Sequence, residues 1–180
     1  MGIRNYLVEG VSATGKTSVC HELRRRGFHA VNGDTDLAYQ GDPRTGEPST
    51  GAPSHWHHIW DVDAVRALVA DTSAPCTFFC GGSRNFVAFQ HLFDAVFVLD
   101  IDQSTLVQRL DQRPGDEYGA HPEERALIMR LHRTGEDTPT GGVRIDATAP
   151  LGEVVDEILR YVSADSGQDG HAAHGVPRRS

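Results

Sequence analysis

The octapeptide Gly10-Val11-Ser12-Ala13-Thr14-Gly15-Lys16-Thr17 constrains this chain more than any other stretch. It matches G-x-x-x-x-G-K-[ST] in full and lies between a short apolar run, residues 5–9, and a helical pattern from about Lys16 to Arg26. In that context the glycines let the backbone curl so that successive N–H groups point inward, and the helix N-terminus adds partial positive charge. A lysine placed here reaches the β- and γ-phosphates of a nucleotide, and the hydroxyl that follows serves Mg²⁺. All eight residues are therefore expected to bind nucleotide, with Thr17 also a metal candidate. Lys16 is the only lysine in the chain; the other sixteen basic residues are arginine. A composition that avoids lysine so thoroughly has kept one where a flexible point charge must follow a moving phosphoryl group.

Beyond the loop, strand and helix patterns alternate. Residues 28–32 read as a second strand ending at Gly33-Asp34, residues 76–80 as a third, and residues 95–99 as a fourth, apolar throughout, as suits a sheet covered on both faces. Residues 143–146 make a fifth. Helical spacing marks residues 61–70, 104–113, 122–133 and a closing amphipathic segment, 151–162. Alternation of this kind means βαβ units, so the expected fold is α/β, a three-layer sandwich around five parallel strands. Residues 37–60 break the pattern with Gly41, Pro43, Gly46, Pro48, Gly51 and Pro53, and are expected to be a long loop, functional or disordered, on the acceptor side. Residues 1–162 should form one domain. Residues 163–180, with little to bury, should be a disordered tail that includes His171 and His174.

With 17 basic against 25 acidic side chains the net charge is −8, which excludes a dedicated binder of nucleic-acid backbone. No apolar run approaches the ~20 residues of a membrane span. The first ten residues lack a secretory core, and Tyr6 stands where a myristoylation motif at Gly2 needs Ser or Thr, so the expected location is cytoplasmic. Cys76 and Cys80 are too far apart on a strand for a disulfide, and Cys20 has no partner at metal-ligand spacing.

Three further motifs define the site. Gly33-Asp34-Thr35-Asp36 closes the second strand; Cys80-Gly81-Gly82-Ser83-Arg84 follows the third; Arg109-Leu110-Asp111-Gln112-Arg113 leads into residues 114–122. With the phosphate loop they make residues 3–162 resemble the nucleoside-monophosphate kinase and shikimate kinase group, with similarity also to gluconate kinases. The resemblance implies an adenylate kinase-like P-loop fold with a short lid at 114–122, ATP as donor and Mg²⁺ as its partner. It also implies that Asp34 helps hold Mg²⁺ and orients an acceptor hydroxyl, and that Asp36 binds the acceptor. Gly81 and Gly82 would let the acceptor approach the backbone, Arg84 would grip an acceptor's charge, and Arg109 and Arg113 would close over the phosphates. Cys80 departs from the pattern, since many phosphate-loop proteins have a carboxylate there. The bare residues also allow an Asx turn at 34–36, a plain turn at Arg84 and a solvated i,i+4 pair at 109 and 113.

The acceptor follows less directly. Asp36-Leu37-Ala38-Tyr39 offers an acid and a phenol where a phosphate-bearing acceptor would want arginine, which favours a nucleoside, cyclitol or sugar acid over a nucleotide. Arg84 and Arg44 pull the other way. Residues 54–60 hold both tryptophans and three histidines. Either Trp56 or Trp60 stacks on a flat acceptor while a histidine donates a hydrogen bond, or the segment anchors the loop to the core. The leading expectation is a kinase transferring the γ-phosphoryl group of ATP to a hydroxyl of a small molecule, as a monomer or homodimer. A nucleoside-monophosphate kinase and a slowly hydrolysing nucleotide switch are the alternatives.

Overall fold

A computed structural model describes residues 4–115 and 117–168, and the side chains among them up to residue 164. Gly2, His171 and His174 lie outside the described residues, as does the expected tail beyond residue 168.

Five strands form one parallel sheet: β1 (Arg4–Glu9), β2 (His29–Asn32), β5 (Cys76–Cys80), β6 (Ala95–Asp100) and β7 (Val143–Asp146), in the order β2-β5-β1-β6-β7. Residues of β1 alternate between the two faces, as the two-residue strand period requires. Tyr6 and Val8 enter a cluster with Val19, Cys20, Leu23, Phe97, Leu106 and Ile128, beneath α1 (Lys16–Arg25), α4 (Gln103–Asp111) and α5 (Pro122–Thr134). Leu7 enters the opposite cluster with Phe79, Phe89 and Phe93, to which α3 (Val62–Ala70) adds Val65. Both faces are covered, so the sandwich has the three layers expected.

The strand order reverses at β1, whose neighbours β5 and β6 both come later in the chain. In open parallel sheets that switch point opens a crevice at the carboxyl ends of the strands. Three turns meet there: Gly10 after β1, Gly33 after β2, and Gly81 after β5, with register pairs Val8–Cys80 and Asn32–Cys80 aligning their ends.

Two segments differ from expectation. Residues 37–60 are not one irregular loop. They hold an antiparallel ribbon of β3 (Ala38–Gln40) and β4 (His58–Trp60), with a 3₁₀ turn at His55–His57. The prolines and glycines that suggested a loop lie in the connection between the two strands, where the Gly41–Pro48 bridge and the Ser49 N–H bond to the Gln40 carbonyl extend the pairing. The closing helix α6 (Leu151–Gln168) runs past Val162 because no Gly or Pro interrupts residues 153–166. Residues 163–168, expected to belong to the disordered tail, continue the helix instead. No helix among the described residues is long and apolar enough to cross a membrane.

Trp60 ties the ribbon to the sheet. Its ring is buried and stacked on Phe89 at 5.4 Å, its backbone N–H donates to Ser83 Oγ and Asn85 Oδ1, and the Asn85 side-chain amide donates to its carbonyl. A side chain at Gly33 would place Cβ 1.9 Å from that ring, so only glycine lets the end of β2 pass beneath it. Of the two readings of Trp60, the anchor is the one the structure adopts.

Candidate active site

The phosphate loop runs from Gly10 (φ 150°) through Ala13 (φ 73°) to Gly15 (φ 105°), held by the Thr14 N–H and hydroxyl on the Val11 carbonyl. Helix α1 starts at Lys16 with no side-chain cap and no acidic residue in its first turn. Its first N–H groups and its positive end are left open to an anion. Lys16 Nζ folds back over the loop and donates to the Gly10 carbonyl at 2.6 Å and to Val11 at 3.2 Å. A cavity of about 680 Å³ opens over this turn, and Thr14, Lys16, Thr17, Asp34, Arg109 and Arg113 are among its lining residues.

Arg109 and Arg113 reach that cavity from opposite ends of their tasks. Arg109 donates to the Ala13, Thr14 and Ala147 carbonyls, so it clamps the phosphate loop to the segment after β7. Arg113 donates to the Tyr118 carbonyl and holds the connection between α4 and α5.

A second cavity, of about 390 Å³, lies on the other side of Lys16. Ser12, Lys16 and Asp34 line both. The ribbon supplies Gln40, His55 and His58 to this second cavity, the β5 turn supplies Gly82 and Arg84, and the α4–α5 connection supplies Tyr118. Asp34 Oδ1 accepts from the Gly82 N–H at 3.0 Å and faces His58 Nε2 at 3.2 Å. Burial alone would raise the Asp34 carboxyl; the His58 contact, the Lys16 charge and the Gly82 N–H outweigh it and hold Asp34 below the usual carboxylate range. Gly81 (φ 154°) is fixed by the same crowding, since a Cβ there would meet Asp34 Oδ1 and the Trp60 ring, each at 2.7 Å. Arg84 pairs with Asp137 Oδ2 at 2.7 Å, both side chains nearly enclosed.

Asp36 and Trp56 do not join either cavity. The Asp36 carboxylate is engaged by Arg24 at 3.2 Å, by the Asn32 N–H and by the Thr35 hydroxyl, at the last residue of the short helix α2 (Gly33–Asp36). Trp56 points outward, 44% exposed, with the Arg130 guanidinium 6.0 Å from its ring centroid. Histidines of the same stretch line the cavity instead.

Glu9, Asp137 and Tyr118 escaped the sequence reading. Glu9 is 1% exposed at the end of β1, and its carboxylate accepts from the Gly10 N–H at 2.6 Å. Burial pushes it up to about 7 against the pull of Lys16, Arg84 and the Gly10 N–H. One signal for it was available: a charge closing an otherwise apolar strand at the lip of a phosphate loop. Asp137, in the connection after α5, gave no such signal, and neither did Tyr118. Cys80 is buried beside Cys20, and enclosure together with that thiol contact pushes it well above the ordinary thiol range.

The donor set fits a nucleotide carrying Mg²⁺. The uncapped α1 terminus with Lys16 suits phosphate, and the Thr17 hydroxyl and Asp34 carboxylate, hard oxygen donors, line one cavity with it. Among the described residues no group of three or more His, Cys, Asp or Glu could hold a metal ion unaided.

A family model described as an AAA domain matches residues 7–130. No curated protein matches the chain. Among solved structures, a gluconokinase from Sinorhizobium meliloti 1021 is 21% identical with TM-score 0.58, over 95% of this chain and 98% of its own. A shikimate kinase from Acinetobacter baumannii, in complex with shikimate, is 12% identical with TM-score 0.58, over 91% and 94%. A sugar kinase from Janibacter sp. HTCC2649, unliganded, is 16% identical with TM-score 0.53, over 90% and 95%. The chain shares the fold of P-loop small-molecule kinases.

Proposed function

The chain belongs to the AAA-domain family, and from that premise we propose that it is an ATP- and Mg²⁺-dependent kinase that phosphorylates a hydroxyl of a small molecule. The observation that carries the reading is the pair of cavities meeting at Ser12, Lys16 and Asp34. One has the lining of a triphosphate site, the other of a polar acceptor site, and the residues between them are those a transferring phosphoryl group would cross.

The loop amides and the α1 terminus bind the phosphates. Lys16 leaves the Gly10 carbonyl to follow the γ-phosphoryl group as it moves. The acceptor oxygen bonds to the γ-phosphorus as the bond from that phosphorus to the β-bridging oxygen breaks, releasing ADP. Asp34 accepts a hydrogen bond from the attacking hydroxyl, directs its lone pair and takes its proton; His58 keeps the carboxylate turned toward the acceptor. Thr17 directly, and Asp34 through water, would hold Mg²⁺, which neutralises phosphate charge when bound. Arg113 and residues 114–122 are the candidate lid, and Arg109 positions the loop rather than covering the transfer.

Coupled ADP release measured with Mg²⁺-ATP across hydroxyl acceptors, with Lys16→Met as blank, tests this. Acceptor-stimulated release in the wild type alone supports it; release indifferent to every acceptor overturns it. That second result supports the other reading, a nucleotide switch with slow hydrolysis, which one sequence feature favours: Cys80 stands where the resemblance to other phosphate-loop proteins leads one to expect a carboxylate.

A further inference from the structure

We propose that the acceptor is an uncharged polyhydroxylated molecule, a sugar alcohol or cyclitol without carboxylate or phosphate, and that Asp137 sets this preference by occupying Arg84. The inference rests on the kinase reading and narrows its acceptor.

Charge is the first argument. Arg84 is the only arginine lining the acceptor cavity among the described residues, and Lys16 serves the phosphate loop. The charge of Arg84 is already paired: its guanidinium lies 2.7 Å from Asp137 Oδ2 and also donates to the Asp137 carbonyl, with the two side chains 10% and 6% exposed. His55 Nε2 stands 3.3 Å from the same Asp137 oxygen. Asp34 and Glu124 also line the cavity, and Glu9 lies close enough to Arg84 to feel its charge. An anionic acceptor would have to break an enclosed ion pair and then sit among these carboxylates.

Unmet hydrogen bonds are the second. Among the described residues His55 Nε2, Arg84 Nε, Tyr118 Oη and Asp137 Oδ1 are buried without a hydrogen-bond partner, and all four residues line this cavity. They comprise a donor, an acceptor, a hydroxyl that does both and a ring nitrogen that does either. Hydroxyls donate and accept, so a polyol can meet the whole set, whereas a carboxylate cannot donate to Asp137.

Stacking is the third, and it disfavours a nucleoside. Tyr118 is already stacked on His55, ring centroids 5.9 Å apart and planes 11° off parallel. Trp60 is buried on Phe89 and Trp56 lies outside the cavity. A base would lack the aromatic platform that Tyr118 alone could offer.

Calorimetry on the ADP-saturated protein decides the matter, with gluconate as anionic probe and sorbitol and myo-inositol as neutral ones. Wild type should take a neutral probe in preference to gluconate. Asp137→Asn should bind gluconate at least ~10-fold more tightly than wild type, as close charge pairs in enclosed sites imply, and Asp137→Asn with Arg84→Gln should lose that gain. Absence of any gain in Asp137→Asn overturns the proposal. So does wild type binding gluconate more tightly than both neutral probes, a comparison that stands even if the variant fails to fold. Loss of ADP binding by the wild type itself would instead remove the kinase reading, and the proposal with it.

Discussion

His58 Nε2 stands 3.2 Å from Asp34 Oδ1, so the β3–β4 ribbon reaches back to the end of β2 at the point where the two cavities join. The contact links a residue of the proposed acceptor cavity to the carboxylate proposed to take the proton of the acceptor hydroxyl. Asp34→Asn keeps the shape but cannot take that proton. Its kcat should fall by ~10²–10⁴ with ADP affinity within a few-fold of wild type, measured by coupled ADP release beside calorimetry. His58→Asn should lower kcat less than Asp34→Asn does; equal losses would make His58 itself the proton acceptor.

Lys16 is the second test. Among the described residues its Nζ hydrogen-bonds to two carbonyls of its own loop, so replacing it breaks no side-chain pair, and Glu9, whose charged form it favours, can hold a proton instead. Lys16→Met should keep the unfolding midpoint within a few degrees and cut acceptor-dependent turnover by at least ~10²-fold, the scale of losing one transition-state contact. Thermal unfolding and steady-state rates on the same preparation check both halves.

Glu9 predicts a pH effect on stability. Its folded-state value, about 7, lies above the usual 4.5 of a free glutamate, so the native protein holds a proton that the unfolded chain has released between those two values. Stability relative to Glu9→Gln should therefore be greatest below about pH 4.5 and decline as pH rises toward 7. The full difference is on the order of 3 kcal/mol. Urea unfolding of both proteins at pH 5 and pH 8 measures it; parallel pH profiles would show that Glu9 titrates normally.

Gly33 gives a packing test. A Cβ at 1.9 Å from Trp60 has nowhere to go in a ring already stacked on Phe89. Gly33→Ala should destabilise by ~1–3 kcal/mol or more, and Gly33→Ala with Trp60→Leu should recover part of that. Denaturant midpoints decide it: no recovery would mean that the strain lies in the backbone rather than against the ring.

What the sequence disclosed follows the range over which each signal acts. The phosphate loop and the five strands are local patterns, a motif at fixed spacing and apolar runs bounded by turns, and they appear where they were expected. The ribbon was hidden because β3 and β4 are three residues each, separated by a connection dense in proline and glycine. Asp34 and Asp36 have the same chemistry two positions apart, and only the direction of the α2 turn separates the one in the cavity from the one on Arg24. Trp56 looked like a wall because aromatic residues beside histidines suit one, yet the 3₁₀ turn at 55–57 sends His55 inward and Trp56 out. Asp137 meets Arg84 across 53 positions of chain, a contact that no local spacing encodes.

The solitary lysine has a bearing on how this protein can be modified. Acylation, ubiquitin attachment and amine-directed crosslinking all seek a lysine nitrogen, and the only one in the chain belongs to the phosphate loop. A tag on a lysine side chain would land on the nitrogen proposed to hold the phosphates of the nucleotide. No other lysine side chain is available to those chemistries, so on the proposed reading occupancy by nucleotide and marking at lysine become mutually exclusive states of one atom.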